Sequence, residues 1–255
     1  MRKGITLLLA GVLVLTACGK EAPREETMAT VTETDVSETE PAAEVHSALY
    51  LPGCDADSVF EYFEEVVLDM EYTDGTGDVT VVQKWLTPVW YGIYGTPTEE
   101  DLRVLEALFA QLNEIPGFPG IRPAEHAGQE NMSLHFLEPD AFRESFSYVI
   151  QGENADGAAQ FWYYTETNEL HTARIGYRTD LEQTIRNSVL AEEIINTLGI
   201  SDTVLRPDSI VYQYSNENLV LSDVDLLLLK LLYNPAMQCG MDAERCSGVI
   251  QRLYY

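Results

Sequence analysis

The stretch from residue 179 to residue 199 constrains the fold more than any other part of the chain. Thr179 with Glu182 three residues on makes a capping box that is expected to open a helix, and Gly199 is a usual C-terminal stop. Leu181, Ile185 and Val189 form one apolar row, and Leu190, Ile194 and Leu198 form another. A helix of about 19 residues that is apolar over so wide a side is expected to pack under a sheet. The sheet is legible too. In residues 132–137, Met132, Leu134 and Phe136 alternate with Ser133 and His135, the period of a half-buried strand. Further strands are expected at 79–85, continued by 90–94 after Pro88, and at 160–164 and 171–177 across a turn at 165–169.

The remaining helices announce themselves by caps and stripes. Residues 58–70 carry Val59, Phe60, Phe63, Val66 and Val67 on one side. Thr96, Pro97 and Glu99 form a helix start, followed by Leu102, Leu105, Leu108, Phe109 and Leu112 and ended by Pro116 and Gly117. A short helix is expected at 140–146. Ser222, Asp223 and Asp225 cap a helix that runs to Tyr233 and stops at Asn234 and Pro235, and a last helix is expected over 242–253. Strands mixed with long helices give an α+β domain with a C-terminal helical part.

That domain is expected to fill residues 49–255, a length that fits one core. Residues 1–18 read as a signal peptide: Arg2 and Lys3, an apolar run from Ile5 to Leu15, then small residues before Cys18. The pattern resembles a bacterial lipobox, which implies cleavage before Cys18, lipid on that cysteine and an extracytoplasmic, membrane-anchored protein. The apolar run is too short to span a bilayer as a helix, which takes about 20 residues. Residues 19–48 are rich in Glu, Thr, Ala, Pro and Ser and have almost no large apolar side chain. They cannot bury enough surface to order themselves and are expected to form an acidic tether.

The net charge is −27. Nucleic acid is excluded as a partner, since phosphate binding needs a basic face; cationic ligands suit such a surface, and so does plain solubility. Cys239 and Cys246 are close enough in sequence for a disulfide in an exported chain, and two free thiols fit equally well. Cys54 has no evident mate, and no CxxC pair offers a thiolate zinc site. His126 and His171 lack a second histidine at ligand spacing. Residues 74–78 superficially look like a calcium loop but have neither the length nor the closing glutamate of one, and read as a turn. The aromatic residues Trp85, Trp90, Tyr91 and those at 161–164 suit either a core or a groove.

The chemistry concentrates at the end of the 181–198 helix. Glu192 and Asn196 are four apart and share a face. Glu193 continues the inward row of Leu181, Ile185 and Val189, so its carboxylate must find a partner or raise its pKa. Asp202 follows three residues after Gly199. The spacing resembles the metzincin zinc peptidases, HExxHxxGxxH. By that resemblance Glu192 stands at the first histidine, Glu193 at the catalytic glutamate, Asn196 at the second histidine, Gly199 at the glycine and Asp202 at the third ligand. Ser209, Ile210 and Val211 stand where those enzymes make a tight turn below the metal, with Val211 in place of methionine.

From Trp85 onward the chain is also similar to a family of uncharacterised bacterial secreted proteins with a degenerate zincin domain. The likeness is carried by Glu192, Glu193, Leu198 and Gly199, by Ser209 and Ile210, by the run from Asp225 to Pro235, and by Gly240 and Met241. It implies a zincin-like twisted mixed sheet packed on the 181–198 helix. With no histidine at any ligand place, zinc is not expected. A non-zinc divalent metal on Glu192, Asn196 and Asp202 is the alternative, since such oxygen ligands suit calcium or magnesium. The expected role is non-catalytic binding of a peptide, protein or envelope component in the old substrate cleft. The alternative is a hydrolase using Glu193 as general base.

Overall fold

The computed structural model describes residues 4–6, 49–69, 80–147, 155–215 and 217–254. Its strands are β1 (Gly4–Thr6), β2 (Lys84–Trp85), β3 (Val89–Gly95), β4 (Ile121–Pro123), β5 (Met132–Leu137), β6 (Gly157–Tyr163) and β7 (Glu169–Arg178). Its helices are α1 (Ala56–Phe63), α2 (Glu99–Asn113), α3 (Pro139–Ser145), α4 (Gln183–Asn196), α5 (Asp223–Leu232) and α6 (Ala243–Tyr254), and α1 runs on into a π-helical turn, Glu64–Leu68.

One mixed sheet organises these elements, in the order β1-β6-β7-β5-β3-β4, with β2 added to β7. Strands β7, β5, β3 and β4 run parallel, whereas β6 runs antiparallel to β7 and β1 antiparallel to β6. The alternation in β5 holds as expected: Met132, Leu134 and Phe136 are buried on the face that carries the main core, and Ser133 and His135 are turned to the other. The α+β class is therefore correct. Helix α4 lies against β6 and β7 and beside α2. Its placement is fixed by polar ties as well as by Val189, Leu190 and Ile194: Tyr177 donates to Leu190 O at 3.2 Å, and Trp85 Nε1 to Thr197 O at 2.8 Å. Each such fully buried apolar side chain contributes about 1.5–3 kcal/mol.

Three boundaries differ from expectation, each for a tertiary reason. The helix expected from residue 181 begins at Gln183, with no side-chain cap. Thr179, one residue past the end of β7, is held against the end of β5: its N–H donates to Leu137 O, and its hydroxyl to Leu137 O and Glu138 Oε1. Helix α2 is capped by Thr98 and not Thr96, because Asp101 sits at the third helical position from Thr98 and completes a reciprocal capping box. The strand expected over 79–85 is reduced among the described residues to Lys84–Trp85, because Val82 pairs instead with Gly240 and Met241.

The C-terminal part is bound in by buried polar groups. Ser222 and Asp225 form the expected capping box of α5, and the same carboxylate accepts from Ser209 Oγ at 2.6 Å and Ile210 N at 3.0 Å. Lys84 Nζ donates to the carbonyls of Leu232, Asn234 and Met237, satisfying the open end of α5. Where α4 ends, Gly199 adopts φ +98°, and a Cβ there would stand 2.2 Å from Gln83 O, so only glycine lets the chain turn at this point.

Candidate functional site

The last turns of α4 carry Glu192, Glu193 and Asn196 into the interior, at 7 %, 2 % and 0 % exposure. The turn at Gly199 sends the chain back, and Ser201 N donates to Val66 O at 2.7 Å in the π-helical turn. Glu65 holds the next residues by accepting from the Thr203 hydroxyl and from Val204 N. This return brings Asp202, partly exposed, onto Asn196, whose Nδ2 donates to Asp202 Oδ1 at 3.2 Å. Above Glu193 runs the start of β6. A Cβ on Gly157 would stand 2.5 Å from Glu193 Oε1, so the strand backbone lies directly on the carboxyl group.

The cluster is acidic and has no ion-pairing counter-charge among the described residues. Burial pushes the Glu192 carboxyl well above its ordinary range, and the charges of Asp202, Glu193 and Asp156 push it further. Glu193 is raised by burial and then by Asp202. Asp202 is raised to about 7 by burial, opposed by its bond from Asn196. Asp156 is also raised by burial, although Arg178 offsets part of this. No described Lys, Arg or His is ion-paired with Glu192, Glu193 or Asp202, and Glu193 takes the second of the two courses open to an inward carboxyl. Asn196 Oδ1 is sealed from solvent with no hydrogen-bond partner among the described residues.

These residues do not fit zinc. Asn196, expected at one ligand place, is a neutral amide that donates to Asp202, and imidazole and thiolate are absent from the set of Glu192, Asn196 and Asp202. Among the described residues no group of three or more His, Cys, Asp or Glu is arranged to hold a metal ion.

The other sequence-derived residues scatter. Cys54, Cys239 and Cys246 are free thiols. Cys239 Sγ is directed to Lys84 O and Cys246 Sγ to Met241 O, so the 239–246 pair is not joined in this structure. Ser209–Val211 do form a tight turn, with Ile210 and Val211 buried and Ser209 tied to Asp225 and to the Tyr62 hydroxyl. Trp85 is core, fully buried. Cys18, residues 19–48 of the tether and residues 74–78 lie outside the described residues.

One pair was missed. Ser133 Oγ lies 3.0 Å from His135 Nε2 on the outer face of β5, in a shallow cavity of about 270 Å³ that Tyr94, Glu130 and Thr172 also line. Burial and the Arg174 charge lower the His135 pKa. The i, i+2 spacing on an alternating strand was the available signal. The pair falls short of a nucleophile site, since no described side chain hydrogen-bonds the second ring nitrogen of His135 to orient it.

No curated protein matches this chain. The family model described as protein of unknown function (DUF2927) covers residues 56–252, from the first turn of α1 to the last turn of α6, and the chain belongs to that family.

Proposed function

We propose that this protein is an exported lipoprotein, anchored by lipid on Cys18 outside the membrane and spaced from it by the acidic tether, whose zincin-like domain binds an extended peptide without cleaving it. The observation that carries the reading is at the sheet edge. Gly4–Thr6 lie antiparallel along β6, with Gly4 opposite Trp162, Ile5 opposite Phe161 and Thr6 opposite Gln160. An edge that takes one extended segment can take another, because the backbone groups supply the affinity. Cleavage before Cys18 removes Gly4–Thr6 and frees that edge. Zincin peptidases also hold substrates beside an edge strand next to the helix that bears the catalytic glutamate, the relation β6 has here to α4 and Glu193.

Binding without cleavage follows from the donor set. Glu192, Asn196 and Asp202 do not suit zinc, and the β6 backbone at Gly157 lies on the Glu193 carboxyl, where a general base would need open space for water. The test uses the processed, membrane-extracted protein and a panel of fluorescent extended heptapeptides. Expected are saturable binding, slowed amide exchange across Gly157–Tyr163 and no cleavage products. Peptide turnover that disappears in Glu193→Gln would overturn this reading in favour of a hydrolase with Glu193 as general base.

A further inference from the structure

Resting on the reading of β6 as a peptide edge, we infer that the carboxyl cluster beneath Gly157 is the pocket for a cationic side chain of the bound peptide, a lysine or an arginine. The first ground is the hydrogen-bonding inventory. When ionised, Glu192, Glu193 and Asp202 only accept. The one side-chain donor group among them, the Asn196 amide nitrogen, already gives one of its two N–H bonds to Asp202. The same amide's Oδ1 is buried, with no partner among the described residues. Unsatisfied buried acceptors are rare in native proteins and point to an absent partner. A site so dominated by acceptors is complementary to an ammonium or guanidinium group, which brings three or five donors and a positive charge.

The second ground is that the chain's own nearby cations are committed elsewhere. Arg178 at the end of β7 pairs with Asp156 and Asp180, and Arg186 of α4 pairs with Asp101. The third is position. Glu193 touches the backbone of the first residue of the edge strand, and alternate side chains of a strand added to β6 point to the α4 side of the sheet. Asp202 is partly exposed, the side of the cluster from which a long side chain would enter. The net charge of −27 draws basic peptides toward the domain from a distance.

The experiment compares three heptapeptides that differ only at the central residue: lysine, norleucine or glutamate. Affinities are measured for the processed protein at pH 8 and pH 5. The lysine peptide is expected to bind at least tenfold more tightly than norleucine at pH 8, and the glutamate peptide more weakly than either. The preference shrinks at pH 5. Glu192→Gln and Asp202→Asn, checked for folding by circular dichroism, are expected to lose the preference while still binding the norleucine peptide. Equal binding of lysine and norleucine peptides would overturn the cation pocket and leave the edge reading standing. If none of the three peptides binds, both fail. Displacement of the lysine peptide by zinc, calcium or manganese alone, lost in Asp202→Asn, would make the cluster a metal site instead.

Discussion

Replacing Arg186 by leucine is expected to destabilise the domain by about 3–5 kcal/mol, the usual result of removing one partner of a buried ion pair. Arg186 is 5 % exposed and Asp101 is 0 % exposed. The guanidinium Nε donates to Asp101 Oδ1 at 2.8 Å, one terminal nitrogen to Thr179 O and the other to Gln183 Oε1. Asp101 also accepts from Gln183 Nε2 and from Thr98 N as part of the α2 cap. The arginine therefore ties the end of β7, the start of α4 and the cap of α2 at one point, and this seats α4 under β6. Without it the Asp101 carboxylate is left buried and only partly satisfied. Urea unfolding at pH 7 measures the loss, and adding Asp101→Asn to Arg186→Leu should recover a substantial part of it. A loss below about 1 kcal/mol, the range of exposed pairs, would show that the network does not hold these elements together.

The second large effect is a gain. Asp202→Asn is expected to stabilise the protein at pH 8 and to leave it unchanged at pH 4. The ordinary aspartate pKa is 3.8, and in the fold that of Asp202 is about 7. Between those values folding takes up a proton. Wild-type stability therefore falls as pH rises through that window and levels off above it. A shift of this size corresponds to at most about 4 kcal/mol, and the partial exposure of Asp202 brings the expectation to about 2 kcal/mol. Glu193→Gln acts in the same sense, because burial and the Asp202 charge raise that carboxyl too. Thermal melts of wild type and both variants across pH 4–8 check this. Wild type that is as stable at pH 8 as at pH 5 would mean that a cation already neutralises the cluster.

What was legible in the sequence was local. Ser222 with Asp225 read as a capping box and is one. Met132 to Leu137 alternate and lie as a strand with the expected face buried. Glu193 read as an inward carboxyl and is buried. Illegible features depended on partners far away in the chain. Thr179 has the residues of a cap, but Leu137 holds it at the end of β5. Val82 belongs to a β-branched run, yet it pairs with the turn at Gly240. The approach of Asp202 to Asn196 needs Ser201 to reach Val66, 135 residues earlier, and the Asp101–Arg186 pair spans 85 positions. The Ser133–His135 pair lay in plain view on one strand face, but spacing alone does not say whether two side chains meet.

The claim that the site recognises and does not cleave stands or falls on what the Glu192, Asn196 and Asp202 set holds. Native mass spectrometry of the purified protein, after incubation with zinc, calcium and manganese, tests it most directly. The account predicts the mass of the metal-free chain in every case. One tightly held metal ion per chain, lost in Glu192→Ala or Asp202→Ala, would contradict it and make this domain a metallohydrolase candidate.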